Sequence, residues 1–388
     1  MNEKLLQAAQ EIRNDVVAMS DAIYERPELG YEEFNSARLH AELLAKYGFA
    51  VEKPFMGLDT GYKAVYDSGK PGPAICYMAE YDALPGVGHG CGHNMLGSTS
   101  AAAGIILSKV IDEIGGKVVV MGTPAEETSG AKVMYADKGA FEGIDAAIVE
   151  HPDNGHYKSG RSLALTTVEA IFTGKPAHAA TAPHMGVNAL DAATISFVAV
   201  GVMRQQTRPD ARIHGIITEG GVAPNVIPER CVMRWYVRAG DRKYREELLE
   251  RVKNCFRGAA LATGCELEMH PFEDPYDDLM TNETLSELMT ESLYEVGVET
   301  VQEPRPTFGS LDAGNVSYVA PTIHPYFPIT TDKTIASHTR EFASCTLTDY
   351  AKDSMMQTAT AMALCGYKLI TQPETLAKVK AEFEENTK

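Results

Sequence analysis

The chain has 388 residues, 44% of them hydrophobic and 23% charged, and a formal charge of −18. That length exceeds the ~250–300 residues at which a single core stops growing, so two domains are expected. The acidic balance excludes nucleic acid and anionic membranes as partners, since both need a basic face, and no apolar run approaches the ~18 residues of a membrane span.

The first stretch carries apolar residues at Leu5, Ala9, Ile12, Val16 and Met19. That is helical spacing, without the charged start and apolar run of a signal peptide. The cysteines at 76, 91, 231, 255, 265, 345 and 365 are odd in number and scattered. Together these features predict a reducing, cytoplasmic setting and no disulfide framework.

A turn at 27–30 is followed by a second helix through Ala37, Leu39, Leu43 and Leu44, then by strands at 49–51, 62–66 and 74–78. After a loop at 79–94, Asn94 is expected to cap a helix over 98–110. Strands are predicted at 118–121 and 146–149, with a helix over 129–138 between them. This alternation predicts an α/β fold, a mostly parallel twisted sheet flanked by helices.

Past residue ~165 the pattern changes. A strand over 166–172, a helix over 188–205, strands over 213–217 and 231–237, a helix over 244–262 and a strand over 266–269 follow in turn. That is the βαββαβ order of a ferredoxin-like unit. The expected division is 1–165 for the first part of a catalytic domain, 166–277 for an inserted domain, and 278–388 for the second part. The last part should hold helices over 283–296 and 311–319, a strand within 321–329, and a helical section from 346 onward.

In open α/β sheets the working residues gather at the carboxyl ends of the strands. Cys91, His93, Glu126, Glu127 and His151 all follow predicted strand ends and are expected to converge. Thiolate, imidazole and carboxylate form a ligand set that zinc and its neighbours accept. Gly88, Gly90 and Gly92 alternate with His89, Cys91 and His93, which suits a loop wrapped around an ion. Adjacent acids at a strand end point in different directions, so one of Glu126 and Glu127 can ligate while the other moves protons. Asp82 is a candidate to orient a ligating imidazole. A further ligand is expected from the last third, where His324 and His338 both qualify and spacing does not choose between them.

The motifs Asp82-Ala83-Leu84-Pro85, Gly90-Cys91-Gly92-His93-Asn94, Pro124-Ala125-Glu126-Glu127, Gly174-Lys175-Pro176-Ala177-His178-Ala179 and Asn225-Val226-Ile227-Pro228 occur in this order. As a set they resemble the two-metal aminoacylase and carboxypeptidase amidohydrolases. The likeness is strongest to the hippurate and auxin-conjugate hydrolase branch, and within it to the aminobenzoyl-glutamate hydrolases and β-alanyl-lysine-type dipeptidases. The resemblance implies that Cys91, His93, Glu127, His151 and His338 bind two divalent ions, zinc or manganese, with Cys91 bridging. It implies Glu126 as general base, Asp82 behind a ligand, and His178 as oxyanion partner. Asn225 and Arg238 would hold a substrate carboxylate, and His324 would lie near the site without ligating.

The expected function is therefore hydrolysis of an amide bond in a small N-acyl amino acid or dipeptide. The inserted domain would serve as lid and homodimer contact, with dimers possible as halves of a tetramer. Two positions depart from the family pattern. Glu80 stands where other branches have a histidine, and Asn94 where the auxin-conjugate branch has aspartate. A one-zinc deaminase is a poor match, because its Pro-Cys-x-x-Cys motif is missing. An inactive metal-binding or assembly homologue is the remaining alternative.

Overall fold

The computed structural model describes residues 2–305 and 309–388, the side chain of Asn2 excepted. The described residues form two compact units, 2–161 with 279–305 and 312–388, and 162–278 with 309–311.

The first unit opens with helices α1 (Asn2–Glu25) and α2 (Phe34–Lys46). Strands β1 (Ala50–Glu52), β2 (Tyr62–Asp67) and β3 (Ala74–Ala79) follow, then helix α3 (His93–Ile114) and strand β4 (Lys117–Gly122). Helix α4 (Ala131–Asp137) and strands β5 (Ala146–Ile148) and β6 (His151–Asp153) complete its first segment. In the second unit come β7 (Ala164–Thr173), α5 (Ala189–Met203), β8 (Arg212–Glu219), β9 (Arg230–Ala239), α6 (Arg242–Thr263) and β10 (Glu266–His270). The chain then returns to the first unit with α7 (Glu283–Glu295), α8 (Ala313–Ser317), β11 (Thr322–Ile323) and β12 (Tyr326–Pro328). Helices α9 (Arg340–Cys345), α10 (Asp349–Thr371) and α11 (Pro373–Asn386) end it.

The main sheet of the first unit has the order β1-β2-β4-β3-β5-β11. Strands β4, β3, β5 and β11 are parallel neighbours, whereas β1 and β2 run antiparallel. The sheet is thus mixed, more so than the alternation alone predicts. The reason is local: β1 and β2 follow one another without a crossover helix. Ile75 and Tyr77 of β3, Val118 and Val120 of β4 and Ile148 of β5 are fully buried in one core with Ala102, Ile105 and Ile106 of α3 and Met355 and Met362 of α10.

Two glycines set how closely α3 lies on this sheet. A Cβ at Gly97 would stand 2.4 Å from the Glu80 carbonyl oxygen, and one at Gly104 would stand 2.4 Å from Val120 Cγ2. The seven-residue interval puts both on one face. The helix is therefore pressed against the carboxyl end of β3, and His93 at its first turn is delivered there.

The helix begins earlier than its periodicity indicates, at His93 with Gly92 as N-cap. Asn94 is inside it and does not cap; its buried amide donates to Ser20 Oγ at 3.2 Å. The first turns are buried on every side, from His93 to Ser108, so they carry no amphipathic signal that marks the start.

The second unit is a fully antiparallel sheet of order β10-β7-β9-β8. Val168, Ala170 and Phe172 of β7 and Met233, Trp235 and Val237 of β9 share a core with Leu248, Val252 and Phe256 of α6. Asn188 caps α5, its side-chain oxygen accepting from Leu190 N–H at 3.0 Å. At the free edge, β8 exposes Ile216, and α5 exposes Val198 and Val202. Among the described residues no helix is long and apolar enough to cross a membrane.

Candidate metal centre

Because β3, β4 and β5 are parallel, the chain leaves all three on the same edge of the sheet. Glu80 and Asp82 follow β3, Glu126 and Glu127 follow β4, and His151 follows β5. The loop carrying Cys91 turns through Gly92, whose φ of 75° lies in the left-handed region and whose α-carbon faces Pro152 too closely for a side chain. The turn lets Cys91 and His93 point into one space.

The last third of the chain supplies His338, itself at φ 66°. Its N–H donates to the Gly90 carbonyl at 2.8 Å, and Arg340 Nη2 donates to the Gly86 carbonyl at 2.8 Å. Two backbone loops from opposite ends of the sequence are therefore pinned together at the site.

Two candidate ligand triplets result. Atoms of Cys91, His93 and His151 lie within 4.8 Å of one another, and so do atoms of Cys91, Glu127 and His338. Cys91 belongs to both. A third grouping at the same spacing joins Glu80, His93 and Glu126. Glu126 and Glu127 thus diverge, the first towards Glu80 and His93, the second towards Cys91 and His338.

Asp82 ties the triplets together. Its Oδ1 lies 3.0 Å from His93 Nδ1, and its Oδ2 accepts from Glu127 N–H at 3.0 Å. With Nδ1 engaged, His93 presents Nε2, which is buried, makes no hydrogen bond and has Glu80 Oε2 at 3.3 Å. Glu127 Oε1 is buried and unpartnered as well. Orphaned buried donors and acceptors are costly in a folded protein unless something else satisfies them. A divalent ion in each triplet would do so, and the soft thiolate, imidazole and carboxylate set fits such ions.

The electrostatics agree. Burial raises the Cys91 thiol, and Glu127 beside it raises it further. Burial disfavours a charged His93, but Asp82 and Glu80 outweigh it and hold the imidazolium well above the usual range. Burial, then the His93 charge, depress His151 to about 3. Burial raises Glu126 well above a normal carboxylate, with Glu80, Asp312 and Glu127 adding to it. Glu80 also feels burial, yet the Lys132 ammonium and His93 hold it at about 2.

His324 is fully buried beside these groups, its ring stacked on His151 at 5.6 Å, and burial lowers it to about 4. It joins none of the three groupings. Lys132 is a neighbour the sequence reading missed. It is fully buried on α4, 2.7 Å from Glu80 Oε1 and 2.6 Å from Asp312 Oδ1. A lone lysine after an acidic turn carries no signal in a sequence, because lysines are ordinarily solvated.

In the second unit, His178 Nδ1 accepts from the N–H groups of Ala180 and Thr181, each at 3.2 Å. This fixes the ring proton on Nε2. Asn225 lies beside it, its carbonyl accepting from Ala179 N–H at 3.0 Å. Arg238 stands near the opposite end of the same sheet, where β9 closes on the start of β7, and donates to Ser310 Oγ at 2.7 Å. The carboxylate pair expected from the sequence is therefore split within one copy of the chain.

Residues 76–363 match the family described as Peptidase family M20/M25/M40. The mouse Xaa-Arg dipeptidase is 37% identical over 386 residues, covering 95% of this chain and 88% of that one. The p-aminobenzoyl-glutamate hydrolase of Escherichia coli K12 is, in its B component, 33% identical over 301 residues, covering 72% and 62%. Two solved structures share the fold. One is an aminobenzoyl-glutamate utilization protein from Klebsiella pneumoniae, with a TM-score of 0.71 at 19% identity over 93% of this chain and 98% of that chain. The other is a dinuclear metal binding peptidase of the M20 family from Bacillus subtilis, with a TM-score of 0.68 at 18% identity over 92% and 98%. By sequence and by fold, this chain belongs to the M20/M25/M40 peptidase family.

Proposed function

We propose that the protein hydrolyses the amide bond of a dipeptide or N-acyl amino acid bearing a free carboxylate. The observation that carries this reading is the shared cysteine: two ligand triplets meet at Cys91, and Glu126 stands beside them on a different face. Cys91, His93 and His151 would hold one ion and Cys91, Glu127 and His338 the other, with zinc and manganese both suited to the donors. Such ions, when bound, polarise the amide carbonyl and acidify water.

The chain's own residues do the rest. Glu126, kept basic by burial and by neighbouring carboxylates, takes the proton of the attacking water and returns it to the leaving amine. Asp82 fixes the His93 ring and the Glu127 backbone, so the ligands do not drift. His178, with its proton on Nε2, is the donor to the developing oxyanion, and Asn225 and Arg238 hold the substrate carboxylate. His324 packs behind His151 and is given no ligand role.

The second unit, 166–277 in the sequence division, acts in this reading as lid and homodimer contact. Exposed apolar residues on its edge strand, Ile216, and on α5, Val198 and Val202, support pairing of two copies. The separation of Arg238 from the His178 and Asn225 pair supports sites completed across such a dimer. A cytoplasmic location accords with seven free cysteines.

The test is the purified protein with zinc or manganese against dipeptides ending in arginine, N-acyl amino acids and aminobenzoyl-glutamate. Hydrolysis that a chelator and Glu126→Gln both abolish supports the reading. Two bound ions with no turnover on any of these substrates would favour the inactive homologue.

A further inference from the structure

We propose that Glu33 is a positioning residue for Glu126 and Glu127, acting through the backbone of Ala125. The inference rests on the reading of Glu126 as the base. Glu33 lies on the turn before α2, belongs to none of the ligand groupings, and is fully buried.

Its Oε1 accepts from the Ala125 N–H at 2.8 Å. Ala125 is fully buried and sits at φ 66°, a left-handed conformation that a residue with a Cβ adopts only when its surroundings impose it. The turn after it is closed on its carbonyl side, where the Ala125 oxygen receives the N–H groups of Thr128 at 3.1 Å and Gly130 at 2.9 Å. On its N–H side the partner is Glu33. This reversal sends Glu126 to Glu80 and His93, and Glu127 to Cys91 and His338.

Glu33 is the end of a strap over 28–33 that touches two of the site's loops. The Glu28 carbonyl accepts from Ala83 N–H at 2.8 Å, next to Asp82. The Tyr31 hydroxyl donates to the Ser129 carbonyl at 3.4 Å. A Cβ at Gly30 would stand 2.7 Å from Thr128 Oγ1 and 3.0 Å from Ala125 Cβ, so only glycine lets the strap lie this close. The strap is in turn anchored to α2, where the Glu28 carboxylate receives Asn35 N–H at 3.0 Å and Ser36 N–H at 2.8 Å. Through it, the loop bearing Asp82 and the loop bearing both glutamates are held in one register.

The experiment compares Glu33→Ala, Glu33→Gln and Gly30→Ala in the metal-loaded protein, with Glu126→Gln as control. A displacement of about 1 Å at a reacting group costs about 100-fold in rate, so Glu33→Ala should lose kcat by about that factor. KM should stay within about threefold and metal content at two ions per chain, because Glu33→Ala leaves the Glu28 contact to Ala83, and with it the Asp82 loop behind His93, in place. Glu33→Gln keeps an acceptor for the Ala125 N–H and should recover most of the loss. Gly30→Ala should show the same selective fall in kcat and decides the matter if Glu33→Ala does not fold. Normal kcat in Glu33→Ala or in Gly30→Ala overturns the proposal, as does a Glu33→Gln no better than Glu33→Ala. If Glu126→Gln is dead while these variants are fully active, the strap inference alone fails. If Glu126→Gln is itself active, the assignment of the base fails first.

Discussion

Lys132 Nζ lies 2.7 Å from Glu80 Oε1, with both side chains withdrawn from solvent and Asp312 closing the other side of the ammonium. Glu80 stands where other branches of the family carry a histidine, and the lysine explains how a carboxylate is tolerated there. Burial alone would raise Glu80, and burial raises Asp312 to about 6 even with the ammonium beside it. Removing the cation leaves buried Asp312 without a counter-charge and buried Glu80 with the His93 imidazolium alone, 3.3 Å away. Lys132→Met is expected to lose about 3–5 kcal/mol in urea unfolding of the metal-free protein, the range for breaking a buried ion pair. A loss under about 1 kcal/mol would show that the triad is not a buried pair in solution.

Cys91 belongs to both ligand triplets, whereas His151 belongs to one. Cys91→Ala should therefore weaken both ions, and His151→Ala only one. Metal analysis after dialysis should find well under one ion per chain in the first variant and about one in the second. Equal stoichiometry in the two would remove Cys91 from its shared position.

Binding of metal must displace protons, because the Cys91 thiol and the His93 imidazolium are both held protonated by their surroundings. Affinity should rise with pH through neutrality. Calorimetric titration in buffers of different ionisation heat should show at least one proton released per chain near pH 7. Proton-neutral binding would contradict the environment described for these two groups.

Glu33 gives a pH signature in stability. Burial, then the nearby Asp82 charge, raise it from 4.5 to about 8. Between those values the folded state binds the proton more tightly than the unfolded chain. Its contribution is fully present below about 4.5 and is lost as pH rises towards 8. Glu33→Gln does not titrate, so relative to the parent it should gain on the order of 3 kcal/mol between pH 5 and pH 8. Parallel stability curves for the two proteins would rule this out.

The proposed dimer contact is tested on the second unit. Val202→Glu and Ile216→Lys place charge on exposed apolar positions of α5 and β8 and should halve the mass seen by light scattering. Folded monomers with unchanged turnover would detach the second unit's histidine from catalysis across the dimer.

Much of the clustering at the candidate metal centre was legible because strand ends carry chemistry and the apolar runs at Ala74, Val118 and Ala146 are easily read. Cys91, His93, Glu127 and His151 meet as three strand ends should. His324 and His338 were not separable by spacing; only the docking of the His338 loop on Gly90 places one of them with Cys91 and Glu127. Lys132 and Glu33 were invisible for a common reason. A buried charge is recognised by what surrounds it, and their partners Asp312 and Ala125 are distant in sequence. The start of α3 was misplaced because Gly97 and Gly104 were chosen for close packing against the sheet, which leaves no apolar stripe to read.

The pairing of β11 with β5 joins Thr322 to Ala147 across the whole of the intervening second unit. During synthesis, β5 therefore waits with a bare hydrogen-bonding edge while more than a hundred residues emerge and fold. His151 sits at the end of that unfinished edge, and its N–H finds the Pro325 carbonyl only once the late segment arrives. A nascent or proteolysed chain stopping short of β11 thus exposes an unpaired strand edge beside His151.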